Sequence, residues 1–156
     1  MSSTENLEAE QENRMRHTLS HVMAAALTEM YPGIQFGIGP AIKDGFYYDV
    51  DLSKVKNADG VVKISDSDLS KIEKRMRKII ASGFKMRSFE KTREEALAWA
   101  RDNGQGYKVE LINELPKDEV ISFYQLNDFL DLCKGPHVED SKEIGAFKLM
   151  RVAGAY

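Results

Sequence analysis

The chain is poor in residues that would mark several familiar classes: one cysteine, one tryptophan, three histidines and four prolines in 156 residues. Its lone cysteine, Cys133, has no intrachain disulfide partner, which excludes a disulfide-stapled fold and fits a reducing compartment. No apolar run approaches the ~20 residues that a spanning helix needs. The opening stretch, MSSTENLEAEQEN, is acidic and polar, without the basic start and apolar core of a secretory signal. A cytoplasmic protein with no membrane partner is expected. Repeats and low-complexity segments are absent as well.

Strong charge of one sign is also missing. The net charge of -3 excludes a chain that binds nucleic acid through overall basicity. The charge is uneven, however. Residues 71–93 carry nine Lys or Arg (Lys71, Lys74, Arg75, Arg77, Lys78, Lys85, Arg87, Lys91, Arg93) against Glu73 and Glu90, a net of +7 that leaves -10 elsewhere. The plain reading of this segment is a solvated helix face with a basic turn; the functional one is a surface for phosphates.

What remains is ordinary for a globular protein: 42% hydrophobic and 30% charged residues, in a length that supports one domain with a real core. Hydrophobic spacing predicts a first helix from Thr4 to Met30, opened by a capping box at Ser2 and Glu5 and closed by Tyr31-Pro32-Gly33, with residues 1–13 as a polar extension. Two more helices follow, Ser65 to Gly83 and Thr92 to Asn103, each with a capping-box acid, Asp68 and Glu95. Strands are expected at Ile34–Ile38, Phe46–Leu52, Phe84–Phe89, Tyr107–Ile112, Val120–Tyr124 and Phe147–Val152, and a loop at Lys54–Lys63. Strands broken by helices without strict alternation point to a single α+β domain with a mainly antiparallel sheet.

All three histidines and the cysteine fall into two pairs of equal spacing, His17 with His21 and Cys133 with His137. On a helix, residues four apart share a face. Gly135 and Pro136 keep Cys133–His137 out of regular helix, so that pair reads as a tight loop turning a thiol and an imidazole the same way. Together the pairs could converge into a four-ligand cluster of the kind zinc accepts. At ~100° per residue, Met15, Leu19, Val22, Met23, Ala26 and Met30 form one apolar stripe, with His17 and His21 roughly opposite. Ala24 and Ala25 would let a second segment approach. A shared functional site and a purely structural metal knot both satisfy this pattern.

The segments HTLSHVMAAAL, IGPAIKDGFYYDVDL, GYKVELI, DLCKGPHV and FKLMRVAGAY, in this order and at these separations, closely resemble the editing domain of bacterial-type threonyl-tRNA synthetases. The resemblance runs from Arg14 to Tyr156. It implies hydrolysis of the ester in seryl-tRNA(Thr), a threonine tRNA mischarged with serine. It places His17, His21, Cys133 and His137 at the site core, with Lys108 as a further catalytic group and Tyr48 and Asp131 as substrate-binding residues. The implied roles are a neutral imidazole that orients or deprotonates water, Lys108 on the oxyanion or a water, Asp131 on the substrate ammonium, and Cys133 as a pocket wall or proton partner. Plainer readings stand beside these: a solvent-facing Lys108 on a strand, paired with Glu110; Tyr48 as packing; Asp131 as a loop cap. Gly37, Gly39 and Pro40 read as a turn beside the pocket.

Alanyl-tRNA synthetase editing domains share both pairs and use zinc, but with a Gly-Gly-Thr type loop after the cysteine. Lys134-Gly135-Pro136 is similar to the threonyl type, for which no metal is required. A zinc-dependent editor of seryl-tRNA(Ala), a covalent Cys133 enzyme and a non-catalytic tRNA-binding module remain the alternatives. The resemblance also implies a class II aminoacylation domain after AGAY and a small domain before His17, so the chain is expected to be either part of a longer synthetase or a free-standing editor that cannot itself activate threonine.

Overall fold

The computed structural model describes residues 3–55 and 62–154. Ser2 of the expected first capping box lies outside them, as do residues 56–61 of the expected Lys54–Lys63 loop. Four helices and three small antiparallel sheets make an α+β fold: α1 Ser3–Met30, β1 Gln35–Phe36, β2 Ala41–Ile42, β3 Gly45–Phe46, β4 Val50–Asp51, α2 Leu69–Ala81, β5 Arg87–Lys91, α3 Arg93–Asp102, α4 Gly106–Glu114, β6 Ile121–Leu126 and β7 Phe129–Leu132. β1 pairs with β4, β2 with β3, and β6 lies between β5 and β7. No helix among the described residues is long and apolar enough to cross a membrane.

The expected boundaries of α2 and α3 agree with the structure because local chemistry sets them. Ser65 N–H donates to Asp68 Oδ2 at 2.9 Å, starting a 3-10 turn that runs into α2. Thr92 and Glu95 close a reciprocal capping box at α3, with bonds of 3.0 and 3.1 Å. Each box satisfies backbone donors that a helix start leaves open.

α1 differs from the one-stripe expectation. Its residues 18–22 and 24–27 are buried all round, so the histidine face is covered as fully as the apolar one. One side meets α2 and the core of Phe36, Ile72, Met76 and Leu126. The other is roofed by the loop after β7, as described below. A second core, centred on Phe123 with Ala96, Ala100, Ile112 and Ile121, holds α3 and α4 on the β5–β6–β7 sheet.

Two expected strands are corrected. Tyr107–Ile112 is helix α4: Gly104, at φ 66°, reverses the chain after α3, and the buried pair is Lys108 and Ile112, one helical turn apart. The Gln105 amide then bonds Ile34 O (3.0 Å) and Phe36 N (2.9 Å), taking the place of a strand neighbour beside β1. Phe147–Val152 forms no strand because carboxylates take its amides: Leu149 N donates to Glu73 Oε1 at 2.7 Å and Val152 N to Asp66 Oδ1 at 2.8 Å. The β6–β7 hairpin was not expected as such. It turns at Asn127, whose φ of 52° is the left-handed conformation that asparagine tolerates.

Phe123 is fully buried and meets Trp99 edge-on at 4.8 Å between ring centroids. Phe123→Ala should therefore lower unfolding free energy by about 3–5 kcal/mol, read from the urea denaturation midpoint.

Candidate active site

The two pairs meet. Cys133 Sγ lies 3.3 Å from His17 Nε2 and 3.2 Å from His137 Nε2, and one potential ligand atom from each of His17, His21, Cys133 and His137 lies within 4.8 Å of every other. The rings of His17 and His137 stack at 4.2 Å, and His21 meets His137 edge-on at 4.4 Å.

The loop after β7 makes this convergence. Gly135 adopts φ 81° and precedes a cis bond to Pro136. A Cβ at Gly135 would lie 2.6 Å from Tyr124 Oη, so no larger residue fits against the β6 tyrosine. Gly135 N–H donates to Cys133 Sγ at 3.3 Å. The Pro136 carbonyl accepts from His17 Nδ1 at 3.0 Å, and Val138 N–H donates to Thr18 Oγ1 at 3.1 Å. Because a carbonyl only accepts, His17 carries its proton on Nδ1 and turns a bare Nε2 toward the thiol.

Beside the cluster sits a buried ionic trio. Lys108 and Asp131 are 4% and 2% exposed. Lys108 Nζ reaches Gly37 O at 2.9 Å, Tyr48 Oη at 3.1 Å and Asp131 Oδ1 at 3.4 Å. Tyr48 donates its phenol proton to Asp131 Oδ2, and Leu132 N–H donates to Asp131 Oδ1 at 2.9 Å. Lys108 is thus neither on a strand nor in solvent, and Glu110 is not its partner. All three of its N–H groups are directed at acceptors. Both Asp131 oxygens are likewise engaged within the fold, in a strand rather than a loop.

Burial sets the protonation states. It lowers the pKa of His17 and His137, and it takes His21 down to about 3, helped by the neighbouring His17 and Lys108. Burial pushes the Cys133 thiol up to about 11 and the Tyr48 phenol well above its ordinary 10. At neutral pH the cluster is three neutral imidazoles and a thiol. A resting thiolate nucleophile, which a covalent Cys133 mechanism needs, is disfavoured.

The donor set fits a metal. Three imidazoles and one sulfur suit tetrahedral zinc, and His21 Nδ1 is buried without a hydrogen-bond partner. Four protein ligands would close that coordination sphere, which is the pattern of structural zinc; catalytic zinc keeps one position open.

Several contributors carried no signal in the sequence. Thr18 and Ser20 are fully buried between the histidines. Ser20 Oγ contacts the Gly39 carbonyl at 2.9 Å, and a Cβ at Gly39 would lie 2.5 Å from the Tyr48 ring, so the Gly37–Pro40 turn does border the site. A cleft of about 690 Å³ lined by Phe36, Phe89 and Trp99 shares Asp131 and Phe129 with the site's edge, but neither Cys133 nor a histidine lines it.

Comparison with known proteins finds similarity over most of the chain. Residues 121–154 match the family described as the threonyl and alanyl tRNA synthetase second additional domain. The threonine–tRNA ligase of Acetivibrio thermocellus is 49% identical over 141 residues, 90% of this chain and 21% of the relative. Over the shared stretch the chain is similar to this ligase and, at residues 121–154, to that additional domain. The ligases of Clostridium novyi (44% over 147 residues, 94% of this chain and 22% of the relative) and Clostridioides difficile (46% over 141 residues, 90% and 21%) are similarly related. The chain spans about a fifth of the length of these curated relatives. The CKGPH loop, residues 133–137, is the segment that closes the cluster.

The depressed histidine pKa values make the fold acid-sensitive. A buried imidazole with a folded pKa near 3 binds a proton later than the unfolded chain, whose value is 6.5. The stability is fully present above 6.5 and is lost as pH falls toward the folded value. His21 alone should cost roughly 2 kcal/mol at about pH 5 relative to about pH 7.5. Urea midpoints at the two pH values, compared between the parent chain and His21→Gln, measure it: the variant should lose less on acidification.

Proposed function

We propose that this domain hydrolyses the aminoacyl ester of seryl-tRNA(Thr), releasing serine and intact tRNA, and that it does so without an obligatory metal in the cytoplasm. The observation that carries this reading is the convergence of three neutral imidazoles and one thiol beside a buried Lys108–Asp131–Tyr48 trio. A synthetic site shaped for threonine rejects serine by only ~1–3 kcal/mol, because serine differs by one missing methyl. A second site that destroys the seryl ester makes up the difference.

The chemistry follows from the proton positions. A bare imidazole Nε2, that of His17, accepts a proton from water as the water oxygen attacks the ester carbonyl carbon. The carbon–oxygen bond to the terminal ribose breaks, and the imidazolium returns the proton to the leaving ribose oxygen. The fixed positive charge of Lys108 favours the oxyanion that develops between these steps, and Asp131 and Tyr48 hold that charge in place. With its carboxylate engaged in the trio, Asp131 acts on the substrate ammonium through its field. Were zinc held by three of His17, His21, Cys133 and His137, leaving one position open, it would polarise the carbonyl or acidify a water.

Incubating the domain with seryl- and threonyl-tRNA(Thr), with and without chelator, tests this. Serine should be released fast, threonine slowly, and chelator should have no effect; His17→Ala should slow serine release by roughly a hundredfold or more. Activity on seryl-tRNA(Ala) that chelator abolishes would favour the alanyl-type alternative, and tRNA binding without ester loss a non-catalytic module.

The basic segment is the surface we assign to the tRNA backbone. On α2, Lys71, Lys74 and Lys78 share an exposed face opposite buried Ile72, Met76 and Ile79. Arg75 and Arg77 are paired with Glu29 and Glu73, both at 3.3 Å. Exposed Lys85 bridges in backbone pairing to Asp140, three residues beyond His137, which brings the basic run to the edge of the site. Changing Lys71, Lys74 and Lys78 to Gln should weaken tRNA binding and reduce the log–log salt slope by about one for each lysine that meets a phosphate, measured by filter binding across salt concentrations.

A further inference from the structure

Thr18 is fully buried between the two helical histidines, and its hydroxyl makes three hydrogen bonds. A hydroxyl has one proton and two lone pairs. Oγ1 lies 2.8 Å from the Arg14 carbonyl oxygen. Two oxygens at that distance need a proton between them, and a carbonyl has none to give. Thr18 therefore spends its proton on Arg14 and is an acceptor for everything else. One lone pair takes the Val138 N–H at 3.1 Å, and the other faces His137 Nδ1 at 3.0 Å. His137 must then carry its proton on Nδ1 and leave Nε2 bare, 3.2 Å from Cys133 Sγ.

The consequence concerns the thiol. His17, through Pro136, and His137, through Thr18, both turn bare Nε2 atoms toward one sulfur, at 3.3 and 3.2 Å. Cys133 has a single S–H proton, so it can donate to one imidazole only. The other lone pair is surplus at every moment, and a surplus imidazole lone pair is what a water needs in order to be oriented and deprotonated. If His137 instead held its proton on Nε2, it would donate to Sγ, the thiol would donate to His17, and neither of the imidazoles that face the sulfur would keep a free acceptor.

We infer that Thr18 is a positioning residue: by acting only as an acceptor it locks the tautomer of His137 and keeps one imidazole lone pair free to activate water. This deepens the editing reading above and rests on it for its effect on turnover, but the tautomer itself can be read without any substrate. The side-chain nitrogens of His137 are followed by long-range ¹H–¹⁵N correlation on the whole chain, alongside seryl-tRNA(Thr) hydrolysis, for the parent, Thr18→Val and Thr18→Ser.

The parent and Thr18→Ser should show His137 protonated on Nδ1 and bare at Nε2. Thr18→Val keeps the shape but offers a methyl to Nδ1, so the proton should move to Nε2. In that variant kcat should fall roughly 10- to 100-fold, the range seen when a partner that orients a site histidine is lost, with KM unchanged and the rate restored in Thr18→Ser. A parent His137 protonated on Nε2 overturns the inference, as does a Thr18→Val variant with the parent's tautomer and kcat. If Thr18→Val does not fold, the parent and Thr18→Ser spectra still decide it, since an Nε2 proton in either is incompatible with the lock. A chain that shows the Nδ1 tautomer yet cleaves no ester supports the lock and removes the editing reading instead.

Discussion

The structure depends on one strap: residues 136–138 fastened to the middle of α1. Three consecutive residues are tied to two adjacent helix side chains, through Pro136 O to His17, His137 Nδ1 to Thr18 and Val138 N to Thr18. Without the two bonds to Thr18, the buried polar atoms of Thr18, His137 and Val138 would be left open in a dry interior, at about 1–3 kcal/mol each. With them, the polar face of α1 can be buried as completely as its apolar face. The strap is thus both a packing device and the means by which two distant pairs of side chains become one cluster.

Burial then decides the chemistry. In water an imidazole and a thiol titrate within a few pH units of one another. Here desolvation drives them apart, with His21 near 3 and Cys133 near 11, so the cluster rests with every member neutral. Alongside lie Lys108 and Asp131, 3.4 Å apart and hydrogen-bonded to Tyr48 in the same pocket. A neutral imidazole–thiol cluster and a hydrogen-bonded polar trio therefore share one interior.

Local signals were legible in the sequence and long-range ones were not. The starts of α2 and α3 could be read because Ser65–Asp68 and Thr92–Glu95 are self-contained boxes. The equal spacing of the two His/Cys pairs foretold their meeting. α4 was misread because GYKVELINE fits a two-residue period through Tyr107, Val109 and Leu111 as well as a helical one; the burial of Lys108 and Ile112 against distant partners settles the matter. The same contacts set aside the plainer reading of Lys108 as a solvent-facing side chain. Thr18 was invisible for a related reason: a threonine inside a helix has no periodicity of its own, and its partners lie 119 and 120 positions away.

That separation has a temporal side. One half of the cluster is in the first 21 residues and the other begins at Cys133, with nearly the whole domain between them. A chain emerging from a ribosome holds His17 and His21 long before it holds Cys133 and His137. Throughout that interval α1 has neither its polar roof nor its full core. The site therefore cannot close until the segment through His137 has been made, and a fragment cut short of Cys133 holds only the helical pair. Closure of the cluster is in effect a readout that the segment from α1 to the loop after β7 has been made and folded.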